Sequence, residues 1–146
     1  PEKITFITSK ELEEKYPDKV KAIIAYDKAL SKKIYGAADI FLMPSKSEPC
    51  GLAQMIASRY GTVPVVRETG GLYDTIKYYN DETGEGNGFT FANYNAHDML
   101  YVIREACLLY SDSNAWKRLV QNGIDSDFSW KTSAQKYKEL YFELEN

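Results

Sequence analysis

"ADIFLMPSKSEPCGLAQMIASRYGTVPVVRETGGL", residues 38–72, runs from one short apolar segment through a turn and a helix-like stretch to a second apolar segment and a second turn. The segments DIFLMP (39–44) and VPVV (63–66) are apolar throughout, so each reads as a strand covered on both faces. Pro49 and Gly51 mark the turn after the first, and Gly70 and Gly71 the turn after the second. A helix beginning near Gly51 and a short one from about Leu72 complete two strand–turn–helix units.

The same alternation extends outward. Upstream lie ITFIT (4–8) and VKAIIAY (20–26) as strands, with KELEEKY (10–16) and KALSKKIYGA (28–37) as helices; downstream GFTF (88–91) is a last short strand. Apolar strands separated by helices imply a doubly wound α/β fold with a parallel, Rossmann-like sheet. After residue 94 the pattern becomes helical only. Asn95 is an N-cap with Asp98 three residues on, and Met99, Val102, Ile103, Ala106 and Tyr110 follow on one face. A second helix starts near Ser113, buries Trp116, Leu119 and Val120, and is expected to stop at Gly123 as a left-handed cap. A third, from Ser129, carries Trp130, Ala134, Tyr137 and Tyr141 along one stripe suited to the core or to a neighbouring domain. The acidic, glycine-rich NDETGEGNG (80–88) reads as an exposed, mobile connection.

A chain of 146 residues with 44% hydrophobic content can bury one core, and residues 1–146 are expected to form a single domain. Eighteen Lys and Arg against 21 Asp and Glu leave a net charge of -3 with no long basic run, which argues against nucleic acid and anionic lipid as partners. No apolar run reaches the ~18 residues that would cross a membrane, and PEKITFITSK lacks a signal-peptide layout. Cys50, Cys107 and the single His97 form no metal-ligand cluster, and the two cysteines suggest no disulfide. The sequence therefore reads as a soluble, reduced, cytoplasmic chain.

In an open parallel sheet, ligands gather outside the carboxyl ends of the strands. Gly51 and its neighbours would place backbone amides at a helix N-terminus, where partial positive charge suits phosphate, and Gly70 and Gly71 would open a second turn beside them. Glu48 is unfavourable next to phosphate unless it faces sugar hydroxyls or a developing cation, so phosphate and sugar together fit the stretch. A plainer account fits the residues equally: Glu48 favours a helix N-terminus by its charge, and the glycines only shape turns. Asp74 and Glu82 have no partner carboxylate at a glycosidase spacing, and His97 reads as an exposed residue of a helix's first turn. Cys50 has a setting that favours thiol reactivity.

From about residue 17 to the C-terminus, and above all in EPCGL followed by RYGTVPVVRETGGL, the chain resembles bacterial glycogen synthases and plant starch synthases. These are retaining glucosyltransferases of two Rossmann-like domains, and the resemblance implies the C-terminal, nucleotide-sugar-binding one. It gives Glu48 the role of contacting the donor glucose and supporting the cationic transition state. The main chain of Cys50, Gly51 and Leu52 would approach the glucose and distal phosphate, Thr69, Gly70 and Gly71 would line the same cleft, and Tyr26 would lie against adenine. Tyr26 also reads as a strand-end residue covering the sheet edge. The implied donor is ADP-glucose, less so UDP-glucose, and the acceptor an α-1,4-glucan; no metal or other cofactor is implied.

Three departures stand out: Ala53 replaces the usual hydroxyl residue, Ile56 replaces the second glutamate of related transferases (which glycogen synthases commonly lack too), and ITSKELE replaces a glycine-rich first turn. The family's phosphate-neutralising arginine and lysine, and its N-terminal domain, have no counterpart here. The chain is thus expected to be an N-terminally truncated part of a larger enzyme, inactive alone. The rival readings are a non-catalytic nucleotide-sugar-binding or interaction module, and another transferase on the same scaffold such as a sucrose-type enzyme, against which EPCGL argues.

Overall fold

A computed structural model describes residues 9–144. The chain divides into two compact units, one through Leu30 and one from Ser31 onward. In the first, helix α1 (Ser9–Lys15) is followed by a turn whose Lys19 and Val20 amides donate to the Tyr16 carbonyl, and Lys21 pairs with Glu13. The expected strand at 4–8 lies outside the described residues. The expected strand at 20–26 does not form: these residues are irregular, and Ile23, Ile24 and Tyr26 are exposed. An apolar run becomes a strand only when a partner takes up its N–H and C=O groups, and no ladder among the described residues includes residues 20–26. Asp27 accepts from the amides of Ala29 and Leu30 at 2.9 Å each, capping helix α2 (Lys28–Ala37).

From Ser31 onward the fold is α/β, as the sequence implies. Strands β1 (Ile40–Met43), β2 (Val63–Arg67) and β3 (Phe89–Phe91) form a parallel sheet in the order β1-β2-β3, with Ile40 opposite Val63 and Val65 opposite Phe89. Helices α3 (Ala53–Arg59) and α4 (Gly71–Thr75) connect them, followed by α5 (Ala96–Tyr110), α6 (Ser113–Asp125) and α7 (Trp130–Leu144). Alternate side chains sort to opposite faces of the sheet. Val63, Val65, Phe89 and Phe91 meet Val102 and Ala106 of α5 and Trp116 and Leu119 of α6, while Val66 on the other face meets Leu72 and Ile76. Helices cover both faces, which is why β2 reads as an unbroken apolar run; β1, at the edge of the sheet among the described residues, leaves Leu42 exposed.

The caps follow the sequence closely. The Asn95 side chain accepts from the Asp98 amide at 2.8 Å, and Asp112 accepts from the amides of Asn114 and Ala115. Gly123 does not end α6: the helix continues to Asp125, and Gly123 is buried against Ser58 of α3, where a Cβ would lie 3.6 Å from the serine Cβ. Its small size serves helix contact. The 80–88 loop is exposed in part, yet it is anchored. Asn122 donates to the carbonyls of Gly84 and Gly86 at 2.7 and 2.8 Å, and Arg118 reaches the Tyr79 hydroxyl and Asp81.

Helix α7 has no buried residue, and Trp130, Tyr137, Tyr141 and Phe142 are all exposed. Its start is set by Asp127, which accepts from the Ser129 amide at 2.8 Å and the Thr132 hydroxyl at 2.9 Å. Hydrogen bonding from Ser129, by hydroxyl and amide, and from Thr132 holds the Asp127 carboxyl at about 2, against an ordinary 3.8. A folded value below the unfolded one means that this cap contributes fully above the unfolded value and is lost as pH falls through the folded one. Between pH 4 and 2, the amide signals of Ser129 and Trp130 are therefore expected to shift toward random-coil positions. Asp127→Asn should remove that pH dependence at both residues.

Candidate functional site

Because β1 and β2 are adjacent and parallel, their carboxyl ends open at one edge, and the turns that follow are neighbours. They touch backbone to backbone. The Gly71 N–H is shared between the carbonyls of Glu48 and Pro49, at 3.3 and 3.2 Å. Gly70 has φ +46, and a Cβ there would lie 2.2 Å from the Glu48 oxygen; a Cβ on Gly71 would lie 2.0 Å from the Cys50 oxygen. Gly51, at φ +71, bends the first turn into α3. The paired glycines thus permit one turn to lie on the other.

The two helix starts are not equivalent. In α4 the Leu72 and Tyr73 amides donate to Thr69 and Gly70 and the Gly71 amide to the first turn, so the second turn is closed at Gly71 and not open as expected. In α3 the N-cap residue is Leu52, no side chain caps the helix, and the amides of Gly51 through Met55 have no acceptor among the described residues. Those are the first-turn donors that a helix leaves to solvent or ligand. Glu48, in the turn that leads into them, is half-buried, and its carboxylate has no hydrogen bond or ion pair among the described residues. The Cys50 thiol is free and exposed, and Leu52, 65% exposed, lines a cavity of about 700 Å³ with Met55, Ile56 and Phe128.

Glu48, Cys50, Gly51, Leu52, Thr69, Gly70 and Gly71 are thus brought to one edge of the sheet. Tyr26 belongs to the unit that ends at Leu30, where it is 94% exposed. Two contributors were not singled out by sequence reasoning. Arg67, the last residue of β2, donates from Nη1 to the Lys46 carbonyl at 2.8 Å and lies over the Tyr94 ring, tying the first turn to the strand end. Gln54 is fully buried beneath both turns. Its signal was present: Gln54, Ala57 and Ser58 are the buried face of α3, and an amide within a buried stripe needs partners. Among the described residues, no three His, Cys, Asp or Glu side chains gather as a metal site requires, and no helix is long and apolar enough to cross a membrane.

Residues 7–125 match the family of glycosyl transferases group 1, and the chain belongs to that family. It is 57% identical over 127 residues to a glycogen synthase of Clostridium novyi and 56% identical over 130 residues to one of Bacillus licheniformis, covering 87% and 89% of this chain. It spans about a quarter of those relatives, 26% and 27% of their length. Among solved structures, the catalytic domain of starch synthase IV from Arabidopsis thaliana, bound to ADP and acarbose, is similar with a TM-score of 0.80 at 41% identity, over 92% of this chain and 28% of that one. A sucrose-phosphate synthase from Thermosynechococcus elongatus is similar with a TM-score of 0.65 at 25% identity, over 92% of this chain and 33% of that one.

Proposed function

We propose that this chain is the donor-binding part of a retaining glucosyltransferase of the glycogen and starch synthase type, acting in the cytoplasm. The donor is ADP-glucose, and the acceptor is the nonreducing end of an α-1,4-glucan. One observation carries the reading: Glu48, a half-buried carboxylate unpaired among the described residues, belongs to the turn that leads into the uncapped amides of α3, at the edge where two glycine turns meet. Uncapped amides suit the diphosphate, while the carboxylate suits sugar hydroxyls and the positive charge that develops at the anomeric carbon.

In this reading the main chain of Cys50, Gly51 and Leu52 approaches the distal phosphate and glucose. Gly70 and Thr69 line the opposite wall, and Gly71 holds the turns together. Ala53 offers only its amide where a hydroxyl would add a bond. Glu48 acts by charge and by hydrogen bonding to the sugar, not as a nucleophile. Departure of a diphosphate also requires cations to take up its charge, and they come from chain beyond this quarter of the enzyme; the likeness to far longer glycogen synthases supports that division.

Binding without turnover is the expected result. Titrating the isotope-labelled chain with ADP, ADP-glucose and UDP should shift the amides of Gly51, Leu52, Ala53 and Gly70, with adenine ligands binding more tightly than UDP. Transfer of labelled glucose to a glucan should stay at background. Tighter binding of UDP would overturn the choice of base. No shift at millimolar ligand would overturn donor binding by this chain, and measurable transfer would overturn the need for the remaining length.

A further inference from the structure

Gln54 stands in the first turn of α3 with no exposed surface, and its side-chain hydrogen bonds go to the first turn and to Thr75 at the end of α4. Nε2 donates to the Gly51 carbonyl at 2.8 Å, to the Cys50 carbonyl at 3.3 Å and to the Thr75 hydroxyl at 3.1 Å. Thr75 in turn donates to the Gly71 carbonyl at 2.6 Å. That last bond commits the hydroxyl proton, so Thr75 receives from Gln54 with a lone pair, and the amide orientation is fixed. Turning the amide over would set an oxygen against two carbonyls. The bridge therefore runs from the first turn, through one side-chain amide and one hydroxyl, to the second.

The Oε1 of Gln54 is buried without a partner among the described residues, against the spot where a Cβ of Gly51 would stand, 2.6 Å away. A residue retained for packing alone would be apolar here, because an orphaned buried acceptor is costly. The cost is incurred to keep Nε2. Among the described residues, the turns are also linked directly by the shared Gly71 N–H, at 3.2 and 3.3 Å, a long bond at both acceptors.

We propose that Gln54 is a positioning residue whose amide, relayed through Thr75, locks the Cys50 and Gly51 carbonyls to the Gly70–Gly71 turn and so fixes the backbone amides that face the donor diphosphate. The link to the ligand rests on the donor-binding reading above; the link between the turns does not. Hydrogen exchange at the Gly71 N–H in the ligand-free chain reads the bridge without any ligand. In Gln54→Leu, which fills the space without the amide, that exchange should accelerate about tenfold or more, and ADP affinity should fall about tenfold. The urea midpoint should fall modestly, since the orphan acceptor of Gln54 is removed but the buried Gly51 carbonyl loses its donor.

Thr75→Val leaves Gln54 in place and should change both readouts in the same direction by less; it decides the matter if Gln54→Leu does not fold. If ADP binds neither the unsubstituted chain nor the variants, the donor-binding reading fails and the Gly71 exchange alone judges the bridge. Unchanged exchange overturns the proposal. So does accelerated exchange with undiminished ADP affinity, because the bridge would then support the fold and not the site.

Discussion

Gly71→Ala is expected to cost about 3 kcal/mol of stability and to abolish ADP binding even at temperatures where the variant is folded. The added Cβ would lie 2.0 Å from the Cys50 oxygen and 2.6 Å from the Cys50 carbonyl carbon and Cα. All three are main-chain atoms, so no rotamer change relieves the clash. Gly71 also lies outside the positive-φ glycines, which are Gly51, Gly61, Gly70, Gly84 and Gly86. Alanine can therefore adopt its backbone angles, and the whole effect comes from the contact between turns. Relief requires the first turn to move away from the second. That movement breaks the shared Gly71 bond to Glu48 and Pro49 and displaces the α3 amides from the positions the diphosphate needs. Urea unfolding measures the stability loss, and an ADP titration well below the melting transition measures the binding. Stability and affinity both unchanged would mean that the turns are not held in contact in solution.

The strands and caps were legible because their causes are local. VPVV can only be a fully covered strand, and Asn95 with Asp98 spells a helix start, so β2 and the start of α5 fall where the sequence puts them. Gly123 was misread because a glycine late in a helical pattern looks the same whether it ends the helix or admits a neighbour. The deciding atom belongs to Ser58, far away in sequence. VKAIIAY shows the same limit for strands, since its apolar residues specify burial but not the partner that a ladder needs. Composition also misleads in the 80–88 loop, whose glycines and acids suggest mobility while its anchors, Arg118 and Asn122, come from α6. Within the site, Glu48 and the glycines stood out because charge and conformational freedom are visible in single residues. The meeting of Gly71 with Cys50 was not visible, because it follows from the lateral spacing of two strands. Gln54 was hidden for the same reason, as its partner Thr75 stands across that gap.

Leu119→Ala should lose as much stability as Gly71→Ala, about 3 kcal/mol, while leaving ADP affinity within about twofold at low temperature. Leu119 has no exposed surface and lies in α6 within the cluster of Val63, Val65, Phe89, Phe91, Val102, Ala106 and Trp116. Truncation removes buried methyl groups and leaves a cavity that the sheet and α5 cannot close without moving. Against a total stability of about 5–15 kcal/mol for an ordinary domain, that loss moves the urea midpoint far but leaves the chain folded. The cavity opens on the face of the sheet away from Val66, Leu72 and Ile76, the cluster beneath α4 and the Gly70–Gly71 turn. The two variants therefore separate two causes that a single one confounds. If both unfold at the same urea concentration and Gly71→Ala alone fails to bind, contact between the turns makes the site. If Leu119→Ala loses ADP in equal measure while folded, general loosening suffices, and the backbone contact has no special part in binding.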